Sequence, residues 1–225
     1  MRAVIVANGP MPKPPHPGIR VQDEDLLICV DGGARNALAL GLQPQVAIGD
    51  MDSMERELRM HLEGEGCRFV EHSPRKDETD SELAIRYALA QGATELVLLA
   101  ALGGRIDHTL ANVMLLALPE LNEVRARLID GNQELMLVRR ETAIEGTPGD
   151  IVSLVPLCAD AGDIHTEGLE YALHGGSLKF GAARGVSNVL VAARAKVKVG
   201  QGLLLLVHHH QLPAKDDESG SQGGC

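Results

Sequence analysis

LLICVDGGARNALALGLQPQVAIGDMDS, residues 26–53, is the stretch that decides the fold. It opens on five apolar residues, 26–30, enough for a buried strand and too few for a buried helix. Asp31 and a Gly-Gly pair then turn the chain. An Ala/Leu segment continues as a short helix that stops at Gly41, and residues 46–48 form a further apolar run ending in GDMDS. A strand, a helix and a strand in so short a span make a βαβ unit, whose two strands run parallel.

Working outward, the same alternation continues. Residues 3–7 read as a first strand, followed by a proline-rich surface loop over 11–18 near the same rim. After GDMDS come a charged helix over 54–63 and a strand over 67–70. Thr79 with Glu82 three residues later is a capping box, which satisfies two amides at a helix start. Leu83, Ala84, Tyr87 and Ala88 fall on one face of that helix, and Gly92 closes it. Residues 95–101 form a buried-type strand, Gly103-Gly104 a turn, and residues 109–118 a second amphipathic helix. The expected fold class is α/β: a mostly parallel sheet over residues 1–130 with helices on both faces.

Beyond residue 130 the texture changes. Apolar runs at 135–138, 150–157, 177–180 and 189–199 have no helix between them, and 195–199 alternates apolar and polar residues as a half-buried antiparallel strand does. Residues 131–210 therefore read as a small antiparallel β-sandwich. Residues 211–225 are polar and rich in Gly and Ser, a composition expected to be disordered. His208-His209-His210, at the end of the sandwich, has two readings, a metal-binding run and, more commonly at a domain's end, a solvated polar one.

The 225 residues are 44% apolar but only 2% aromatic, so the core is built from Ala, Leu, Val and Ile. A formal charge of −10 argues against a nucleic-acid or anionic-membrane surface as partner. Cys29, Cys67, Cys158 and Cys225 lie far apart with no CxxC pair, which fits a reducing compartment. The N-terminal apolar stretch is too short for a signal peptide, and no run approaches the roughly 18 apolar residues of a membrane helix. The expectation is a cytoplasmic protein.

The carboxylates carry the chemistry. Asp31, the pair Asp50 and Asp52, the pair Asp77 and Asp80, and Arg105 with Asp107 each follow a predicted strand. In a parallel sheet the carboxyl ends of the strands share one edge, where such folds bind ligands. Asp31 before Gly-Gly and Asp80 at a helix start also read as turn or cap residues. Asp50 and Asp52 differ: alternation in an extended segment puts both on one side, where they repel unless a cation lies between them. Mg²⁺ takes one or two carboxylates together with substrate phosphates. Arg105 adds a planar cation suited to phosphate, and His108 at the following helix start either binds phosphate or caps. No GxxxxGK[ST] or GxGxxG is present.

In order along the chain, DGGA (31–34), GLQPQVAIGDMDS (41–53), KDETDSELAI (76–85), LGGRIDHTLAN (102–112), GLEYAL (168–173) and GVSN (185–188) resemble the thiamine pyrophosphokinase family over residues 2 to 207. That resemblance implies an ATP-binding α/β domain, a sandwich that contacts thiamine, and a homodimer with its active site between subunits. It implies that Asp50, Asp52 and Asp77 hold Mg²⁺ and orient the diphosphate, and that Arg105 and Asp107 meet the nucleotide phosphates or the metal shell. Asp31, Thr79, Asp80 and His108 join the ATP site, and Ser187 and Asn188 face thiamine. The chain departs from the family pattern at Arg35, inserted before Asn36, at Val189 after the Ser-Asn pair, and in having no Trp. A nucleotide-sugar transferase, a phosphohydrolase and a non-catalytic nucleotide sensor are the competing readings of the acidic rim.

Overall fold

The computed structural model describes residues 1–11, 20–52 and 54–211. Cys225, nearly all of the tail expected over 211–225 and most of the loop expected over 11–18 fall outside those residues. The parallel half comprises β1 (Arg2–Val6), β2 (Leu26–Val30), β3 (Val46–Gly49), β4 (Arg68–Glu71), β5 (Glu95–Leu99) and β6 (Arg125–Asp130). Its helices are α1 (Gly33–Ala39), α2 (Arg56–Gly64), α3 (Asp80–Ala90) and α4 (Ile106–Leu115). The remaining strands are β7 (Gln133–Val138), β8 (Glu141–Glu145), β9 (Ile151–Pro156), β10 (Ala161–Glu167), β11 (His174–Leu178), β12 (Asn188–Val189), β13 (Arg194–Gln201) and β14 (Leu204–His209).

The central strands are apolar throughout because both faces are covered. Along β1, Ala3 and Ile5 pack with Ala84, Ile85 and Ala88 of α3, while Val4 and Val6 pack with Ala37 of α1. On the second face Ala34 and Leu62 bring α1 and α2 over Cys29 and Ala47. The parallel sheet with helices on both faces is thus present as expected.

One ten-stranded sheet runs in the order β12-β9-β14-β7-β6-β5-β1-β2-β3-β4, and a second of four strands runs β11-β10-β13-β8. From β4 to β6 the pairing is parallel, and from β6 to β12 it is antiparallel. The sandwich forms where Val138, Val152, Leu154 and Leu206 of the large sheet meet Ile164, Val197 and Val199 of the small one. The C-terminal strands therefore extend the parallel sheet, with one layer of the sandwich being its continuation. The run expected as one strand over 189–199 is broken: Leu190 is buried and bridges Leu169, and the chain re-enters a sheet only at Arg194.

Candidate active site

β1 lies between β2 and β5, so the chain leaves it toward one side of the sheet and later returns on the other. The carboxyl ends of the strands at such a switch point form a crevice. Two asparagines tie down its floor. Asn36 Nδ2 donates to the carbonyls of Ala7 and Gly9, both at 2.9 Å, and buried Asn112 Nδ2 donates to that of Ala101 at 2.7 Å. Gly33 explains the Gly-Gly turn: a Cβ there would lie 2.1 Å from the Val6 carbonyl oxygen, so α1 docks on β1 only with glycine.

Asp31, directly after β2, sits at the centre of the acidic rim. Its Oδ1 is buried and has no hydrogen-bond partner among the described residues. Burial, then Asp80 and Asp50 nearby, push its carboxyl up to about 7, against the pull of the Met51 amide. Gly49 makes the approach possible: its φ is 153°, and a Cβ would stand 1.6 Å from Asp31 Oδ1. Asp31 is thus more than the turn residue its neighbours suggested.

The DMD segment is not extended. Met51 has φ 60° and is 7% exposed, packed into the cluster that contains Leu62 and Cys67. Asp50 Oδ1 accepts the Asp52 amide at 3.0 Å, the bond of an Asx turn. A buried methionine in the left-handed region replaces the alternation that was expected to place both carboxylates on one side. Asp50 faces Asp31, and Asp52 is exposed at the rim.

Asp77 is exposed on the loop that leads from β4 to α3, where Thr79 Oγ1 accepts the Glu82 amide at 3.2 Å. Only that half of the capping box forms, because the Glu82 carboxylate accepts from Arg86 instead. Asp80 begins α3, pairs with Lys76 and faces Asp31. On the next loop Arg105 and Asp107 form an exposed two-point ion pair, with contacts of 2.5 and 3.1 Å, which holds the Asp107 carboxyl below its usual range. Asp107 also accepts the His108 amide at 3.0 Å.

Among the described residues five non-glycine positions have φ in the left-handed region: Asp31, Met51, Ala100, Asp163 and Ser187. Three lie on this rim. Strain of this kind persists where the surrounding structure imposes it, and it gathers at ligand sites. Lys76, Asn36, Asn112 and Gly49 were assigned no part in the site from sequence. A Gly before Asp and an Asn inside a helix are the only signals they gave.

Ser187 and Asn188 lie far along the sheet, at its β12 edge. Ser187 is exposed with φ 62° and its amide donates to Ser153 Oγ at 3.0 Å. Asn188 Oδ1 accepts the Tyr171 amide at 3.0 Å while its Nδ2 donates to the Tyr171 carbonyl at 2.9 Å. Asn188 therefore pins the 171 segment beside a cleft of about 430 Å³ lined by Tyr171, Arg184, Val186 and Ser187.

Two family models match the chain: thiamin pyrophosphokinase, catalytic domain, over residues 20–128, and thiamin pyrophosphokinase, vitamin B1 binding domain, over residues 138–204. The chain is 29% identical over 205 residues to thiamine pyrophosphokinase of Bacillus subtilis, covering 90% of this chain and 96% of that one. It is 28% identical to thiamine pyrophosphokinase 2 of Oryza sativa, covering 80% and 76%. A crystal structure of the Bacillus subtilis protein superposes with a TM-score of 0.85 at 28% identity, covering 94% of this chain and all of that one (100%). That of thiamin pyrophosphokinase from Candida albicans, at 16% identity and a TM-score of 0.76, covers 93% and 89% and shares the fold. The chain belongs to the thiamine pyrophosphokinase family.

Proposed function

We propose that this chain transfers the diphosphate group of ATP to the hydroxyl of thiamine, releasing AMP, at the carboxyl edge of its parallel strands. The observation that carries the reading, within the family, is the Asp31 oxygen: buried, unpartnered and crowded by Asp50 and Asp80. Carboxylates so placed repel until a cation lies among them. An all-oxygen donor set fits Mg²⁺, and Asp50, Asp52 and Asp77 would hold it. Bound there, Mg²⁺ supplies charge neutralisation across the transferred phosphates.

The residues of the chain do the positioning. Arg105, His108 and the N-terminus of α4 receive the nucleotide phosphates, and Asp107 sets the direction of the Arg105 fork. Asp31, Thr79 and Asp80 frame the ATP side, with Lys76 offsetting part of the Asp80 charge. The thiamine hydroxyl oxygen attacks the β-phosphorus. The bond from that phosphorus to the oxygen bridging the α-phosphate breaks, and AMP leaves with the bridging oxygen. The hydroxyl proton passes to Asp77. Thiamine is itself a cation, so the acidic rim suits the acceptor as well.

The working unit proposed is a homodimer. Residues 1–130 serve ATP and the metal, and residues 131–210 serve thiamine and the contact between subunits. β12 and β3 stand eight strand spacings apart in the large sheet, about 38 Å along it at about 4.8 Å per step. Ser187 and Asn188 of one chain are thus remote from its own Asp50, and a partner's sandwich offers the missing half. Ile106, Leu110 and Met114 form an exposed apolar stripe on α4, beside Arg105, and Tyr171, Phe180, Val186 and Val191 are exposed around the second half. Such patches suit faces that cover each other in a two-fold dimer. None of the described helices is long and apolar enough to cross a membrane, and the −10 charge disfavours nucleic acid. The cytoplasm is the proposed location, in keeping with buried Cys29 and Cys67 and no CxxC pair.

Incubation with ATP, Mg²⁺ and thiamine is expected to yield AMP and thiamine diphosphate in equal amounts, both abolished by a chelator. ADP with thiamine monophosphate would move the attack to the γ-phosphorus, and no thiamine-dependent product would refute the activity. Mixing Asp52→Asn with Asn188→Ala protomers, assayed with thiamine well below its KM so that both parents are slow, tests the shared site: random exchange restores about a quarter of wild-type activity if each site spans two subunits, because half the dimers then hold one intact site. No recovery, or a wild-type monomer by light scattering, overturns the dimer.

A further inference from the structure

β14 ends at His209 and His210 follows it; His208 is buried, His209 exposed and His210 half-buried. Strand alternation explains the split: His208, paired with Glu134 of β7, faces the small sheet, and His209 points outward with its Nε2 2.8 Å from Asn132 Nδ2. His208 and Asp150 side chains are 1% and 2% exposed, and those of His210 and Glu134 are 12% and 11% exposed. One donor atom from each of Glu134, His208 and His210 lies within 4.8 Å of the other two.

The spacing is informative. His210 Nε2 stands 3.6 Å from Glu134 Oε2, beyond a direct hydrogen bond. Two donors bound to one tetrahedral Zn²⁺ at about 2.0–2.1 Å are about 3.3 Å apart. Glu134 has divided its oxygens, Oε1 accepting from Arg127 Nη1 at 2.9 Å and Oε2 facing His210. Asp150 is held from outside the cluster, its Oδ1 accepting the Gln211 amide at 2.8 Å and its Oδ2 the Thr147 amide at 3.0 Å. The same Oδ2 meets His208 Nε2 at 2.8 Å and His210 Nδ1 at 3.6 Å. The 2.8 Å contact with Asp150 fixes the His208 ring, as carboxylates behind metal-binding imidazoles do. Gly146 keeps the space open, since a Cβ there would lie 2.5 Å from Asp150 Oδ2 and 2.9 Å from His208 Nε2. A cleft of about 1120 Å³ borders Glu134, His208 and His210 and gives an ion a way in.

We propose that Glu134, His208 and His210 form a second metal site, separate from the acidic rim, for a borderline divalent cation of the Zn²⁺ type, with Asp150 orienting the His208 imidazole. Two ring nitrogens and one carboxylate oxygen are donors for Zn²⁺ and unlike the all-oxygen set of the rim. The ion ties β7 to the end of β14 and, through Asp150, to the turn before β9, where the parallel sheet passes into the sandwich. Water from the cleft completes its coordination.

The test uses the tag-free, full-length protein, stripped with a chelator, reloaded with Zn²⁺ in excess Mg²⁺ to occupy the rim, and desalted before elemental analysis. One Zn²⁺ per chain is expected in the wild type and in His209→Gln. His210→Gln and Glu134→Gln, checked for folding by circular dichroism, are expected to bind at least about tenfold more weakly. Zn²⁺ should raise the thermal midpoint of the first two proteins and not of the last two, and Co²⁺ should give the visible spectrum of a four-coordinate centre only in the first two. No retained Zn²⁺, or equal retention in folded His210→Gln, would overturn the proposal and leave the cluster as a buried ionic network.

Discussion

Asp31→Asn isolates the tension stored at the carboxyl edge. Asp31 is half-buried, one of its oxygens meets no donor, and burial with Asp80 and Asp50 raises its carboxyl from 3.8 to about 7. A rise of that size corresponds to about 4 kcal/mol between the two protonation states. Solvent on the open side of the crevice screens roughly half of it, leaving about 2 kcal/mol. The folded-state value lies above the unfolded one, so this contribution is fully present below pH 3.8 and is lost as pH rises through 7. The amide carries no charge and can donate to Asp80. In buffer with a chelator, Asp31→Asn should therefore exceed wild type in stability by about 2 kcal/mol at pH 8, a midpoint about 5 °C higher, and by less than half of that at pH 5. Calorimetry at the two pH values measures it, and the same variant should lose most of its transfer activity. Equal midpoints at pH 8, or the same gain at both pH values, would refute the reasoning.

Asp52→Asn should lower kcat by more than about a hundredfold, the scale of one lost electrostatic contact to the reacting phosphates; steady-state rates within a few-fold of wild type would remove Asp52 from that role. Gly49→Ala, which forces a Cβ against Asp31 at φ 153°, should destabilise the fold by about 3 kcal/mol, read as a lower denaturant midpoint. Asn188→Ala frees the Tyr171 segment by removing two bonds, and should raise KM for thiamine about tenfold with kcat little changed; an equal fall in kcat would place Asn188 at the reacting atoms instead.

Strands flanked by glycine and acid were legible because a strand covered on both faces must be apolar throughout, as in residues 26–30 and 95–99. β6, with Arg125 and Arg127 in its run, and β10, with Asp163 and His165, were not, since charged residues within a strand interrupt the apolar pattern that marks it, even where the strand lies inside its sheet. Met51 lies between the two acids and faces the core. The left-handed conformation that puts it there, and the Asx turn from Asp50 to Asp52, follow from packing that residue types alone do not encode.

The order of motifs, by itself, determined the fold class and the family, because each motif marks a strand end and a parallel sheet collects its strand ends along one edge. Only the tertiary structure decided which acids meet. Asp31, Asp50 and Asp80 stand 19 and 30 residues apart in sequence, and their mutual repulsion exists only once β2, β3 and α3 are packed together. The same holds for Glu134, Asp150, His208 and His210. A histidine reads as solvated until the strands on either side exclude water from it, and burial is a property of the whole sheet.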